Sequence, residues 1–221
     1  METCVRCWKI KPLCLCDTLV AQPNRVHVLI LQHPQEPDKE LGTARIANLL
    51  LDRSTLKTGL SVPNLKSVLG FEANPSEWIV LFLGSKYKFR QATAAGESSE
   101  IQFFNRKGIE IPMLREKVKG IVAIDGTWAQ AKALWWRNPW LIKLTRAAIN
   151  PRQKSLYGAL RREPRMECLS TIESIAYTLE ILGEDPSVSE NLLAAFKALI
   201  GVYNQYRKRG AVPAPPKQSI P

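Results

Sequence analysis

Histidine is nearly missing from this chain: 221 residues contain two, His27 and His33. That leaves no material for a histidine-rich metal site and argues against a serine–histidine triad. The chain has no Gly-x-Gly-x-x-Gly fingerprint and no P-loop, so a nucleotide cofactor held in the Rossmann or Walker manner is excluded. Long apolar runs are also lacking. Val26–Leu31, Trp78–Leu83 and Gly120–Ile124 each fall far short of the ~20 residues a helix needs to span a bilayer. The first residues bring an acid at position 2 and then cysteines, with no apolar leader segment. No membrane contact and a cytoplasmic location are the expectation. There is no internal repeat. Acids are in deficit, 20 against 31 Lys and Arg, for a net charge of +11. That imbalance favours a polyanionic partner, because each phosphate met by Lys or Arg releases a counterion. A merely solvated basic surface is the alternative. The bases thicken in the second half: Lys132, Arg137, Lys143, Arg146, Arg152, Lys154, Arg161, Arg162 and Arg165.

What the chain does have is an ordinary apolar share, 45%, and enough length to bury a core without disulfides. Its cysteines are crowded. Four of five fall within the first 16 residues, Cys4 and Cys7 as C-x-x-C, Cys14 and Cys16 as C-x-C. Four thiolates arriving as two close pairs suit a tetrahedral Zn²⁺ of structural type. A redox pair or unliganded thiols are the alternatives. Lys9 and Lys11 lie between the pairs and would help keep the thiolates ionised. Cys168 stands apart, as a packed thiol.

Apolar patterning predicts strands over Val26–Gln32, Ile79–Leu83, Ile101–Phe104 and Gly120–Ile124, and helices over Thr43–Leu51 and Thr127–Arg137. Residues 145 to 168 read as basic and irregular, broken by Pro151 and Pro164. Two capping-box sequences follow, Ser170–Glu173 and Ser187–Glu190. Behind the second, Val188, Leu192, Phe196, Leu199, Tyr203 and Tyr206 share one helical face. Strands alternating with helices imply an α/β fold with a mostly parallel sheet flanked by helices. The expected division is a zinc-binding knuckle over 1–22, a catalytic domain over 23–209, and a Pro-rich tail over 210–221.

In such sheets ligands collect beyond the carboxyl ends of the strands. Three of these ends carry polar or glycine-containing loops: Gln32–Glu36, Gly84–Lys86 and Asp125–Trp128. Asp125 therefore either does chemistry or caps the helix that follows. His27 reads as a sheet histidine, whereas His33 stands at a strand end and can meet a ligand. Trp128, Trp135 and Trp136 read mainly as core, except that Trp128 lies close enough to the strand end to stack on a base. Tyr157, followed by Arg161 and Arg162, combines an aromatic ring with guanidinium groups. That pairing suits a phosphate-rich strand with a splayed base; a solvated loop is the alternative.

These motifs resemble those of the DTW-domain family. The resemblance lies in D-G-T-W at 125–128, the paired cysteines, H-P-Q-E at 33–36, and L-R-R-E-P at 160–164 with L-S-T-I-E at 169–173. They occur in the family's order and span residues 4 to about 182. The resemblance implies a tRNA-uridine aminocarboxypropyltransferase. Such an enzyme moves the 3-amino-3-carboxypropyl group of S-adenosylmethionine to N3 of a uridine and releases methylthioadenosine. It also implies a SPOUT-like fold with a trefoil knot. On this reading Asp125 accepts the N3 proton. Leu83, Gly84, Ser85, Gly126, Thr127, Leu169, Ser170 and Thr171 surround the co-substrate, with the helix start at Ser170 seating its carboxylate. His33, Arg45, Trp128, Lys132, Tyr157, Arg161, Arg162 and Arg165 meet the tRNA. The rival functions are a SPOUT-type RNA methyltransferase and a non-catalytic zinc-knuckle RNA-binding protein. Oligomeric state is open.

Overall fold

The computed structural model describes residues 2–81, 100–150, 155–160 and 169–210. Six strands form one sheet, in the order β2-β1-β5-β3-β6-β4. They are β1 (His27–Gln32), β2 (Ser54–Thr58), β3 (Trp78–Leu81), β4 (Ile101–Phe104), β5 (Gly120–Asp125) and β6 (Thr145–Ile149). All neighbours run parallel except β4, which closes the β6 edge antiparallel. The helices are α1 (Ala44–Leu49), α2 (Leu65–Leu69), α3 (Trp128–Arg137), α4 (Thr171–Ile181) and α5 (Pro186–Lys208).

The central strands are apolar on both faces, as a sheet covered on both sides requires. Val28 and Ile30 of β1, Ile121 and Ala123 of β5, and Ile79 of β3 join the core that α1, α4 and α5 complete through Ile46, Ile172, Ile175, Leu192 and Phe196. Alternate residues Leu29, Leu31, Val122 and Val80 face a second core. It is filled by Leu65 of α2 and by Trp140, Leu141 and Leu144, in and just after a 3₁₀ turn over Pro139–Lys143. Gly120 opens β5 where the Trp78 indole lies over it. A Cβ there would come within 2.4 Å of the ring.

The expected strands and helices form, with four corrections. Residues 145 to 149 are a sheet strand rather than irregular chain. Ala147 and Ala148 are buried, but a five-residue stretch opening on Thr-Arg carries too weak an apolar signal to stand out from the basic run. β2, S-T-L-K-T, went unpredicted because an edge strand with half-exposed residues has no apolar run. α2 is only five residues, although its Asn64 cap and following Gly70 mark its ends. The second helix start also moves: Asp185, not Ser187, caps α5, with Pro186 at its first position. The Ser170–Glu173 capping box forms as expected, and the face from Val188 to Tyr206 is buried. The end of the expected strand beyond Leu81, residues 86 to 90, Arg152, Lys154, Cys168 and the tail from 211 lie outside the described residues. Among the described residues, no helix is long and apolar enough to cross a membrane.

Candidate active site

A parallel sheet presents all its carboxyl ends at one edge. Leaving β1, the chain turns through α1 to β2 on one side. Leaving β5, it turns through α3 to β6 on the other. β1 and β5 are adjacent, so a crevice opens between their ends, the topological switch point where such sheets bind ligands. The residues that end these strands are register partners, Gln32 opposite Asp125.

Asp125 is 7% exposed. Gln32 Nε2 donates to its Oδ2 at 3.0 Å, and Thr171 Oγ1 donates to its Oδ1 at 2.5 Å. Gln32 is fixed in turn by Thr58 Oγ1, which donates to Gln32 Oε1 at 3.0 Å. A side-chain chain thus crosses three strand ends, β5 to β1 to β2, and ties them to the start of α4. The two donors orient the carboxylate, and each of its oxygens keeps a second lone pair for a ligand. Asp125 is not the helix cap. Thr127 caps α3: its N–H donates to Gln130 Oε1 at 2.6 Å, and its hydroxyl accepts from Gln130 N. Gly126 lets the strand end pass beneath this turn, since a Cβ would lie 2.9 Å from Gln130 Cβ.

The start of α4 is held from within. Glu173 is fully buried and accepts from Ser155 Oγ (2.8 Å), Leu156 N (2.7 Å), Ser170 N (2.8 Å) and Ser170 Oγ (2.6 Å). Ile172 N donates to Thr43 Oγ1. The N–H groups of Ser170, Ile172 and Glu173 therefore have partners in the fold, and Ser170 acts as a cap. The expected carboxylate seat at Ser170 is already occupied by Glu173. Leu169 is buried beside it.

The knuckle sits on the rim of this site. The sulfurs of Cys4, Cys7, Cys14 and Cys16 all lie within 4.8 Å of one another, with Cys4–Cys16 and Cys7–Cys14 each at 3.7 Å. Thiolates at ~2.3 Å from a tetrahedral ion would be spaced about 3.8 Å apart, so the four fit a metal. Backbone N–H groups of Cys7 and Arg6 pull the Cys4 thiol down to about 6, while burial pushes Cys14 and Cys16 up. Between the cysteine pairs, Lys9 points inward, 4% exposed, and donates to the Lys39 carbonyl. Burial pulls its ammonium down to about 8, against the opposing fields of Cys7, Asp125, Glu40 and Glu36. Lys11, by contrast, is exposed beside Glu2. Leu13 packs on Tyr203 and Tyr206 of α5, and the Trp8 ring carries the Arg45 guanidinium 3.4 Å from its centroid.

Of the residues expected at the site, the fold brings Asp125, Gly126, Thr127, Ser170 and Thr171 together, with His33 and Trp128 at the mouth. His33 N donates to the Asp125 carbonyl, and Trp128 is 39% exposed. Lys132 is exposed one turn further along α3. Tyr157 is a correction: its ring is buried against Phe196 and its hydroxyl donates to the Leu41 carbonyl, so it presents no stacking face. Trp136 is another, 73% exposed rather than core; its neighbour Trp135 is the indole of that turn that packs on the second core. His27 is the expected sheet histidine, its Nε2 2.9 Å from Thr55 Oγ1. Leu83, Gly84, Ser85, Arg161, Arg162 and Arg165 lie outside the described residues. The sequence reading missed Gln32, Thr58 and the inward Lys9. Gln32 had a signal, a lone polar residue ending an apolar strand as Asp125 does.

Fold and site together define an α/β protein with a buried carboxylate at a switch point and a four-cysteine knuckle at its rim. The model of the DTW domain matches residues 1–204, and the chain belongs to the DTW-domain family. It is 28% identical over 208 residues to tRNA-uridine aminocarboxypropyltransferase 2 of Mus musculus, covering 92% of this chain and 64% of that one. Identity is 29% over 212 residues with the protein of the same name from Macaca fascicularis, with the same coverage. It is 24% over 225 residues with tRNA-uridine aminocarboxypropyltransferase A of Arabidopsis thaliana, covering 94% and 83%. The chain thus spans just under two thirds of the length of the mouse and macaque relatives. No solved structure matches it.

Proposed function

We propose that this protein transfers the 3-amino-3-carboxypropyl group of S-adenosylmethionine to N3 of a uridine in tRNA. One observation carries the reading: the aspartate of the D-G-T-W sequence is a buried, doubly oriented acceptor at the strand crevice, in a chain whose relatives are named tRNA-uridine aminocarboxypropyltransferases. Uracil N3 is a weak nucleophile until its proton leaves. The sulfonium already activates the carbons attached to it, so the protein's task is to choose the carbon and supply the acceptor. Asp125 receives the N3–H hydrogen bond and takes the proton as the new bond forms. The N3–carbon bond replaces the carbon–sulfur bond, methylthioadenosine leaves neutral, and the proton passes from Asp125 to water. Gln32 and Thr171 keep the carboxylate aimed. Gly126, Thr127 and Thr171 line the co-substrate's side, and His33, Trp128 and Lys132 the RNA side. Cys4, Cys7, Cys14 and Cys16 would hold a Zn²⁺; four thiolates would leave it no open position, so it would keep the rim in shape and do no chemistry. A SPOUT-like trefoil knot and a cytoplasmic location belong to the same reading.

The test is to incubate the protein with unmodified tRNA and S-adenosylmethionine and to analyse the nucleosides by mass. Uridine carrying the aminocarboxypropyl group, with methylthioadenosine, is the expected result. Adenosylhomocysteine with a methylated base would make it a methyltransferase, and unchanged RNA a binding protein. Asp125→Asn should keep co-substrate affinity and lower transfer by roughly 10²–10⁴-fold.

A further inference from the structure

Four of the chain's six tryptophans divide between core and solvent. Trp78 and Trp140 are 2% and 6% exposed, ordinary core. On α3 the indoles of Trp128 and Trp136 face solvent, 39% and 73% exposed. Lys132 stands between them, also exposed. Residues spaced by four fall on neighbouring turns, so these three form one stripe about 12 Å long within an arc of about 80°. Only Leu134 of this helix is fully buried. No acid occurs anywhere in Trp128–Arg137, and Arg137 closes its last turn. An exposed row of large apolar rings is uncommon on a soluble surface and marks an interaction site. Rings interleaved with cations and free of acids match the bases and phosphates of a single strand. Every base has a face to stack, and each phosphate takes a point charge.

The stripe has a direction. α3 begins three residues beyond Asp125, so its first ring, Trp128, stands at the mouth of the crevice and Trp136 lies outward along the same helix. A base drawn into the crevice leaves its neighbours unstacked. We propose that α3 is a stacking track for the unpaired tRNA nucleotides flanking the target uridine. Trp128 and Trp136 each take a base, and Lys132 takes the phosphate between them. This rests on the tRNA reading above and adds to it a residue, Trp136, and a path for the strand.

The test compares the full chain with Trp136→Ala, Trp136→Leu, Trp136→Phe and the double variant Trp128→Ala/Trp136→Ala. Each is assayed for binding to unmodified tRNA by filter retention, for quenching of tryptophan fluorescence by that tRNA, and for sedimentation. Thermal melts check folding. Trp136→Ala and Trp136→Leu should each weaken tRNA binding about tenfold, while Trp136→Phe stays within a few-fold of wild type. Part of the quenching should vanish with Trp136. Wild-type affinity in the double variant overturns the track. So does wild-type affinity in Trp136→Leu, which would mark an apolar docking face for a protein. A wild-type dimer that Trp136→Ala dissolves, with tRNA affinity unchanged, would assign the face to a second copy and overturn it too. If wild-type protein binds and is quenched by tRNA, with the expected losses in the variants, yet adds no mass to uridine, the transfer reading fails and the track stands. A chain that binds no tRNA overturns both.

Discussion

Thr171 and Gln32 hold the Asp125 carboxylate from two sides, and the consequence is measurable at single side chains. Thr171→Val keeps the shape of the residue but removes the donor at 2.5 Å from Oδ1. The expected outcome is a fall in transfer of tenfold or more with a stability cost of about 1 kcal/mol, read by single-turnover assay and urea unfolding. Thr171→Ser should recover most of the rate. Glu173 answers differently. Truncation to Ala would strand four donors from Ser155, Leu156 and Ser170, the two on Ser170 buried and the other two half-buried. A loss of about 3 kcal/mol or more is expected in urea titrations, since each unsatisfied buried group costs on the order of 1–3 kcal/mol. Asp125 and the Ser170–Glu173 box were legible in the sequence because each sits at a strand or helix end with a recognisable pattern. Lys9 was not: nothing in C-W-K-I-K distinguishes an inward lysine from the outward Lys11 two places on. Tyr157 misled for a related reason. An aromatic ring before a run of arginines looks like a stacking residue until the chain turns it into the core.

The elements show the same limits. β1, β3 and β5 announce themselves through continuous apolar runs, as buried parallel strands do. β2 and β6 carry half-polar or very short sequences and take their structure from the neighbours they pair with, a tertiary effect that propensity does not contain. α3 was legible as a helix but not as to which of its faces is buried. That depended on the second core, where Trp140 and Leu141 arrive after α3 and Trp135, not Trp136, packs against them. The knuckle is the element whose chemistry the spacing states most directly. Removing the proposed Zn²⁺ with a chelator should release four reactive thiols per chain and loosen Leu13 from Tyr203 and Tyr206. The melting temperature should fall by several degrees, and tyrosine fluorescence should report the change. One ion per chain by native mass spectrometry is the matching expectation.

Over the whole molecule, charge decides how the partner is met. With a net +11, tRNA affinity should drop by roughly 10²-fold or more between about 50 and 200 mM salt, linearly in log–log form. Affinity for S-adenosylmethionine should barely move over the same range. Equal slopes for the two ligands would argue against an RNA face built from the basic surface. Fold class was legible at this level from alternation alone. Strand order was not, because the pairing of β1 with β5, whose partners Gln32 and Asp125 lie 93 positions apart, is a long-range choice that local patterning cannot encode.

That pairing also sets a timetable. The carboxylate's supports come from β1, β5 and α4, so a growing chain leaving the ribosome has no working centre until residue 171 has emerged. Until residue 125 has emerged, the β1 edge that β5 will cover has no partner. Parallel contacts between distant segments close slowly, and chaperone demand during synthesis should be greatest in that interval.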